Sequence, residues 1–185
     1  MSSPIMTIGE PRGTAPSFEV PLEMLAACHG RVQAQCDLLR RLGAHLASHG
    51  VDAQACDAAR SVMRYFDQAA PQHHADEEQD LFPALLESMA GSDPVCLREL
   101  TTALCAEHRA LEAAWRQLRA ALQRMLDAAQ PPEVALLESF VARYLAHLQR
   151  EDDELLPMAA RLLDDAALDQ VGRAMRLRRG VADVA

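Results

Sequence analysis

Two stretches of the chain set histidine and acid at a spacing that can grip a metal. The first is His73-His74-Ala75-Asp76-Glu77-Glu78-Gln79-Asp80-Leu81-Phe82-Pro83. The second is His147-Leu148-Gln149-Arg150-Glu151-Asp152-Asp153-Glu154-Leu155-Leu156-Pro157. They lie 74 residues apart (73 to 147). At that offset the first His, the first Glu, a Leu and the closing Pro coincide, and acid faces acid at 78/152 and 80/154. In each stretch His and Glu stand four residues apart, so on a helix they share one face, one turn apart. Imidazole and carboxylate on one helical face make half a site for a transition metal such as iron, manganese or zinc. The rest of the chain must then bring two such halves together.

The elements that do so are predicted to be helices. Half of the 185 residues are apolar but only 4% are aromatic, the composition of a helical bundle of one domain. A first helix runs from about Val20 to His49 with Leu22, Leu25, His29, Val32, Cys36, Leu39, Leu42 and Leu46 facing inward, and Gly50 stops it. A second starts near Asp52 and carries Ala55, Ala59, Val62, Phe66, His73, Glu77 and Leu81. Pro71 and Pro83 should bend it on either side of the histidines, and it ends near Ala90-Gly91. Asp93-Pro94 caps a third helix, with a seam of Leu97, Leu100, Leu104, His108, Leu111, Trp115, Leu118, Leu122 and Met125, that Pro131-Pro132 breaks. The fourth carries Val134, Leu137, Val141, Tyr144, His147, Glu151 and Leu155 until Pro157 kinks or ends it. A fifth, shorter helix covers roughly 158–178. Long helices joined by short turns pack up-down-up-down, so the expected fold is an all-α four-helix bundle with a short fifth C-terminal helix. Its domain spans 18–180, between a flexible arm at 1–17, with Gly9, Pro11, Gly13 and Pro16, and a tail at 181–185.

Each long helix places one histidine in its apolar seam: His29, His73, His108 and His147. A single seam histidine is usually just a hydrogen-bonded core residue. Four of them converging, together with acids, would cost several kcal/mol apiece unless a shared metal satisfied them. Glu77 and Glu151 are the acids in register with the seam. Their neighbours, Asp76 and Glu78 among them, point about 100° away and read as a solvated charge run, with Asp152 a further acid able to reach inward. His45 and His49 close the first helix and read as complements to its C-terminal end. His29 and His108 stand 79 residues apart (29 to 108), so the chain reads as two related hairpins, each with an early His and one His-x-x-x-Glu.

At these residues the sequence resembles the hemerythrin family, in its His-His-Glu cation-binding branch. The marks are His29, His73-His74-x-x-Glu77-Glu78-x-x-Leu81-Phe82-Pro83, Glu107-His108 and His147-Leu148-x-x-Glu151-Asp152-x-x-Leu155-Leu156-Pro157, spread over about 22–178. The resemblance implies a non-haem centre of two iron ions bridged by an oxo or hydroxo group. Glu77 and Glu151 would bridge, and His29, His73, His108 and His147 would be terminal ligands, with manganese or zinc able to substitute. Oxygen-carrying members have a further histidine where this chain has Leu104. His74 or Glu112 could replace it, or the position could stay open to solvent. That departure weakens the case for reversible oxygen carriage and favours redox chemistry at an open position.

The resemblance leaves three readings: a metal-binding protein that binds or senses O2, NO or peroxide or buffers iron; an enzyme reducing peroxide or oxygen; and a metal-free helical interaction module. A net charge of −9 with few aromatics argues against nucleic acid. No apolar run approaches a membrane span, and the N-terminus lacks a signal pattern. The five cysteines include no Cys-x-x-Cys pair and read as reduced thiols of a cytoplasmic protein. Such a protein would be a monomer or homodimer, and any signalling output would pass to a protein partner.

Overall fold

The computed structural model describes residues 17–89 and 95–181, and no strand occurs among them. Helix α1 is Pro21–His49, α2 Ala53–Asp76, α3 Phe82–Ser88, α4 Val95–Ala128, α5 Val134–Arg150, α6 Leu156–Leu162 and α7 Asp165–Arg178. A five-residue π-helical segment, Glu77–Leu81, joins α2 to α3, and another, Glu151–Leu155, joins α5 to α6. The expected arm up to residue 16, the helix end at Ala90-Gly91, the Asp93-Pro94 cap and the last four tail residues lie outside the described residues.

The boundaries follow from local chemistry. Pro21 sits in the first turn of α1, where its missing N–H leaves no bond unmade. Gly50, at φ 76°, ends the helix and donates its N–H to the Leu46 carbonyl. Asp52 caps α2 by accepting the Ala55 N–H at 2.8 Å. Ala129, at φ 53°, turns the chain out of α4 just before the two prolines. Helix α1 packs against α2 and α5, and α4 packs against the same two.

The two late prolines behave differently from the expectation of a kink or a stop. Pro83 and Pro157 lack an N–H, and in α geometry each ring would press on the carbonyl four residues earlier. The chain widens by one residue in the turn before each proline and continues as helix. Phe82 donates to the Glu77 carbonyl, and Leu156 to that of Glu151. The predicted fifth helix over 158–178 is corrected accordingly. Residues up to Leu162 prolong the fourth helix as α6, and only α7, capped by the Asp164 side chain on the Ala167 N–H, is separate.

The interior is divided along the bundle axis. One apolar core gathers Val32, Cys36, Leu39, Val62, Phe66, Leu118, Leu122, Phe140 and Val141. The other gathers Leu25, Leu81, Phe82, Leu85, Leu100, Leu104, Leu155, Ala159, Val171 and Met175. On each helix the histidines and seam acids fall between these two sets, so a buried polar layer separates the cores. Each buried Leu or Phe contributes about 1.5–3 kcal/mol, and the two cores together offset the desolvation of that layer. Helix α7 lies against the second core through Val171 and Met175, and Gly172 leaves no room for a Cβ beside the Phe18 carbonyl. No helix among the described residues is long and apolar enough to cross a membrane.

Candidate metal centre

His29, His73, Glu77, His108, His147 and Glu151 are all at most 3% exposed, and His74 is 6% exposed. Helix α1 supplies His29, α4 His108, and the ends of α2 and α5 supply His73, His74 and His147. The glutamates begin the two π segments. Two groups form, each with its ligand atoms within 4.8 Å of one another: His29, His73, Glu77 and Glu151, and His74, His108 and His147.

The two glutamates stand between the groups and face both. On one side His29 Nε2 is 3.3 Å from Glu151 Oε2 and 4.0 Å from Glu77 Oε1, while His73 Nε2 is 3.6 Å from Glu77 Oε1 and 3.9 Å from Glu151 Oε2. On the other, His108 Nε2 is 3.3 Å from Glu77 Oε2 and 3.4 Å from Glu151 Oε1, and His147 Nε2 is 2.9 Å from Glu151 Oε1. Each carboxylate thus offers one oxygen to each side.

Apart from Gln35 Oε1, every buried side-chain nitrogen or oxygen without a hydrogen-bond partner among the described residues lies in this layer. They are His29 Nε2, both ring nitrogens of His73, His74 Nδ1, both oxygens of Glu77, His147 Nε2 and Glu151 Oε2. Each such atom costs about 1–3 kcal/mol when left unmet. Atoms that are unsatisfied together, converge, and combine imidazole nitrogen with carboxylate oxygen fit metal-cation binding.

Electrostatics point the same way. Burial pushes the His73 imidazole down to about 3, so it stays a neutral donor, and burial likewise holds His74 well below its ordinary range. For His108 burial acts downward too, but its hydrogen bonds to Glu151 and Glu78 and the close Glu77 carboxylate overcome it and lift the ring to about 10. Burial, and then the charge of Glu151, raise Glu77 well above the carboxylate range. Glu151 is also penalised by burial, yet the hydrogen bond from His108 and the close imidazoles of His147 and His73 hold it well below that range. Two carboxylates this close cannot both ionise in a buried layer without a cation.

The match to known proteins agrees with this geometry. Residues 20–159 match the hemerythrin HHE cation-binding domain. The chain belongs to that family. It is also 32% identical over 179 residues to an uncharacterized protein of Haemophilus influenzae (strain ATCC 51907 / DSM 11121 / KW20 / Rd), covering 96% of this chain and all of that protein.

Of the remaining sequence candidates, Asp152, Glu112 and the Leu104 position fall outside the convergence, while His74 belongs to it. Asp152 lies on the outer face of His29, with Oδ1 2.6 Å from Nδ1. Glu112 is partly exposed and paired with Arg109 at 2.9 Å. Leu104 is fully buried in the second core. His74 stacks on His108, ring centroids 4.0 Å apart and 11° from parallel, and its Nε2 is 3.1 Å from the Tyr144 hydroxyl. Two stacked rings cannot both aim a lone pair at one point, so only one can serve a given ion in this arrangement. His45 bonds Asp52 at 3.0 Å and stacks on His49, at the far end of α1.

Glu78 and Asp76, read from the sequence as outward-pointing acids, require correction, and Glu107, which is not among them, is engaged as well. Glu78 reaches across to His108 Nδ1 at 2.7 Å and is itself held by Arg109. Glu107, adjacent to a seam histidine, accepts from His147 Nδ1 at 2.9 Å and from Arg150 at 2.7 Å. Asp76 is fully buried, clasped by Arg178 at 2.5 Å and Arg179 at 2.6 Å from the end of α7. Such outer contacts fix ring orientation and raise donor basicity. One signal for the pairs was in the sequence: acid faces acid at 78/152, and each grips the early histidine of the opposite hairpin.

Proposed function

We propose that the chain is a di-iron protein whose two ions share the polar layer. His29 and His73 hold one ion, His108 and His147 the other, and Glu77 and Glu151 bridge them. His74 stands beside the second ion as a spare donor. The observation that carries this reading is the convergence of buried, unpartnered imidazole and carboxylate atoms between two apolar cores. Such a centre supplies redox chemistry with a small oxidant or gas, so the protein binds or senses O2, NO or peroxide, or buffers iron.

The helices form an up-down-up-down bundle over 18–180. The short links at residues 50–52 and 129–133, and the packing of α1 and α4 each against both α2 and α5, support that topology. All five cysteines are free, which supports a reducing cytoplasmic setting.

Elemental analysis of aerobically purified protein, with its visible spectrum, tests the proposal. Two irons per chain and an oxo-to-iron charge-transfer band are expected; protein with zinc alone, or with no metal after iron-replete expression, defeats it. Peroxide turnover by the iron-loaded protein would move the assignment from a binding protein to an enzyme.

A further inference from the structure

A cavity of about 40 Å³ lies beside the polar layer, between α2, α4 and α5. Its outer rim is Pro71, Glu112 and Trp115, which are partly or fully exposed; its floor is the buried Ala70, His74 and Tyr144. The His74 ring is the wall nearest the centre, since it stacks directly on His108. The two hairpins differ here. One turn before His147 stands Tyr144, and one turn before His73, at the matching place in the repeat, stands Ala70.

The polar atoms around the cavity are already committed. The Tyr144 hydroxyl is 3.1 Å from His74 Nε2, the Trp115 N–H donates to Asp67 at 3.0 Å, and Glu112 is paired with Arg109. Among the described residues His74 Nδ1 is the one buried side-chain polar atom of the lining without a partner. A held water makes about two to four hydrogen bonds, and the largely apolar lining supplies few of them, so a small apolar guest competes well for the space. Peroxide, which carries two donors and four lone pairs, is a poor guest for the same reason.

We propose that this cavity is a holding site for an apolar two-atom gas, O2 or NO, and that such a ligand reaches the centre past Trp115 and Ala70 rather than by a hydrated path. The assignment deepens the metal reading above, and its test separates the two.

Crystals of the full chain as purified, pressurised with xenon, are expected to show xenon between Ala70, Trp115 and Tyr144. The Ala70→Leu variant is expected to exclude it. Xenon reports on the cavity whatever ion the chain carries, so xenon in a protein that holds no iron would overturn the metal reading alone. An empty cavity in iron-loaded protein would overturn this inference alone.

In stopped-flow mixing of reduced, iron-loaded protein, Ala70→Leu is expected to slow association of NO and of O2 about tenfold or more and leave the reaction with hydrogen peroxide within twofold, roughly. Slowing of one gas only would identify which of the two uses the route. Trp115→Ala, which widens the mouth, keeps the test open should Ala70→Leu fold poorly, because it is expected to raise both gas rates and leave the peroxide rate within about twofold. Gas rates unchanged in both variants, or peroxide slowed as much as the gases, would overturn the holding site.

Discussion

The two sides of the polar layer come from one repeated hairpin, yet they are braced differently. On the His108/His147 side each imidazole rests its outer nitrogen on a carboxylate, and each carboxylate rests on an arginine: Glu78 on Arg109, Glu107 on Arg150. On the other side His29 rests on Asp152, which is 41% exposed, and His73 Nδ1 has no hydrogen-bond partner at all. In the repeat the residue matching Glu107 is Cys28 (28 to 107, the offset of the early histidines), and Arg31 Nη2 lies 2.9 Å from its sulfur. A thiol thus stands where the other hairpin has the acid that partners His147. A ligand set can therefore be duplicated while the contacts that orient it are not, and the braced side should hold its ion more tightly.

The comparison breaks most completely at the shared glutamates. Glu77→Ala and Glu151→Ala each remove an oxygen from both sides, so bound metal should fall from about two ions toward none, against little change for the exposed Asp153→Ala. Elemental analysis of purified variants reads this directly. Equal loss from Asp153→Ala would mean that the seam register is wrong.

A smaller, one-sided effect is expected from the braces. Glu107→Gln should weaken the tighter of two binding steps by about 10–100-fold, whereas Asp152→Asn should weaken only the other. Stepwise metal titration resolves the two. Both variants acting on the same step would dissolve the distinction between sides.

The distinction also has a pH signature. His108, lifted to about 10 in the metal-free protein, must give up its proton to become a donor, so affinity on its side should climb as pH rises toward that value. His73, pushed down to about 3, is already neutral and adds no such slope above that value. Competition titrations at several pH values measure it. A tighter step independent of pH between about 7 and 9 would contradict the assignment.

The mildest change is a gain. Cys28→Glu supplies the missing acid beside an arginine already in place, and should tighten the weaker step by at most about tenfold. The variant's weaker dissociation constant is the readout, and unchanged binding would show that position 28 does not reach His73.

Much of this site is legible in the amino-acid sequence. His73 and Glu77, like His147 and Glu151, share a face because the helical period is short and regular, and the seam of Leu104, His108, Leu111 and Leu118 follows the same rule. The prolines are legible as disturbances but not as π turns. Whether a helix kinks, stops or widens at a proline depends on what packs around it, and here Leu81, Phe82 and Leu155 are held in the second core on either side.

Position along the chain by itself determined the helices, the repeat and the six inward-facing histidines and glutamates, because those depend on the direction of a side chain relative to its own axis. Only the tertiary structure decided which outer acid serves which ring, that Asp76 is buried under α7, and that Tyr144 meets His74 beside a small cavity. Glu78 and Asp152 lie about 100° off the seam, and such a side chain points between helices. What it meets there belongs to a neighbour tens of residues away, and helical periodicity carries no information about that neighbour.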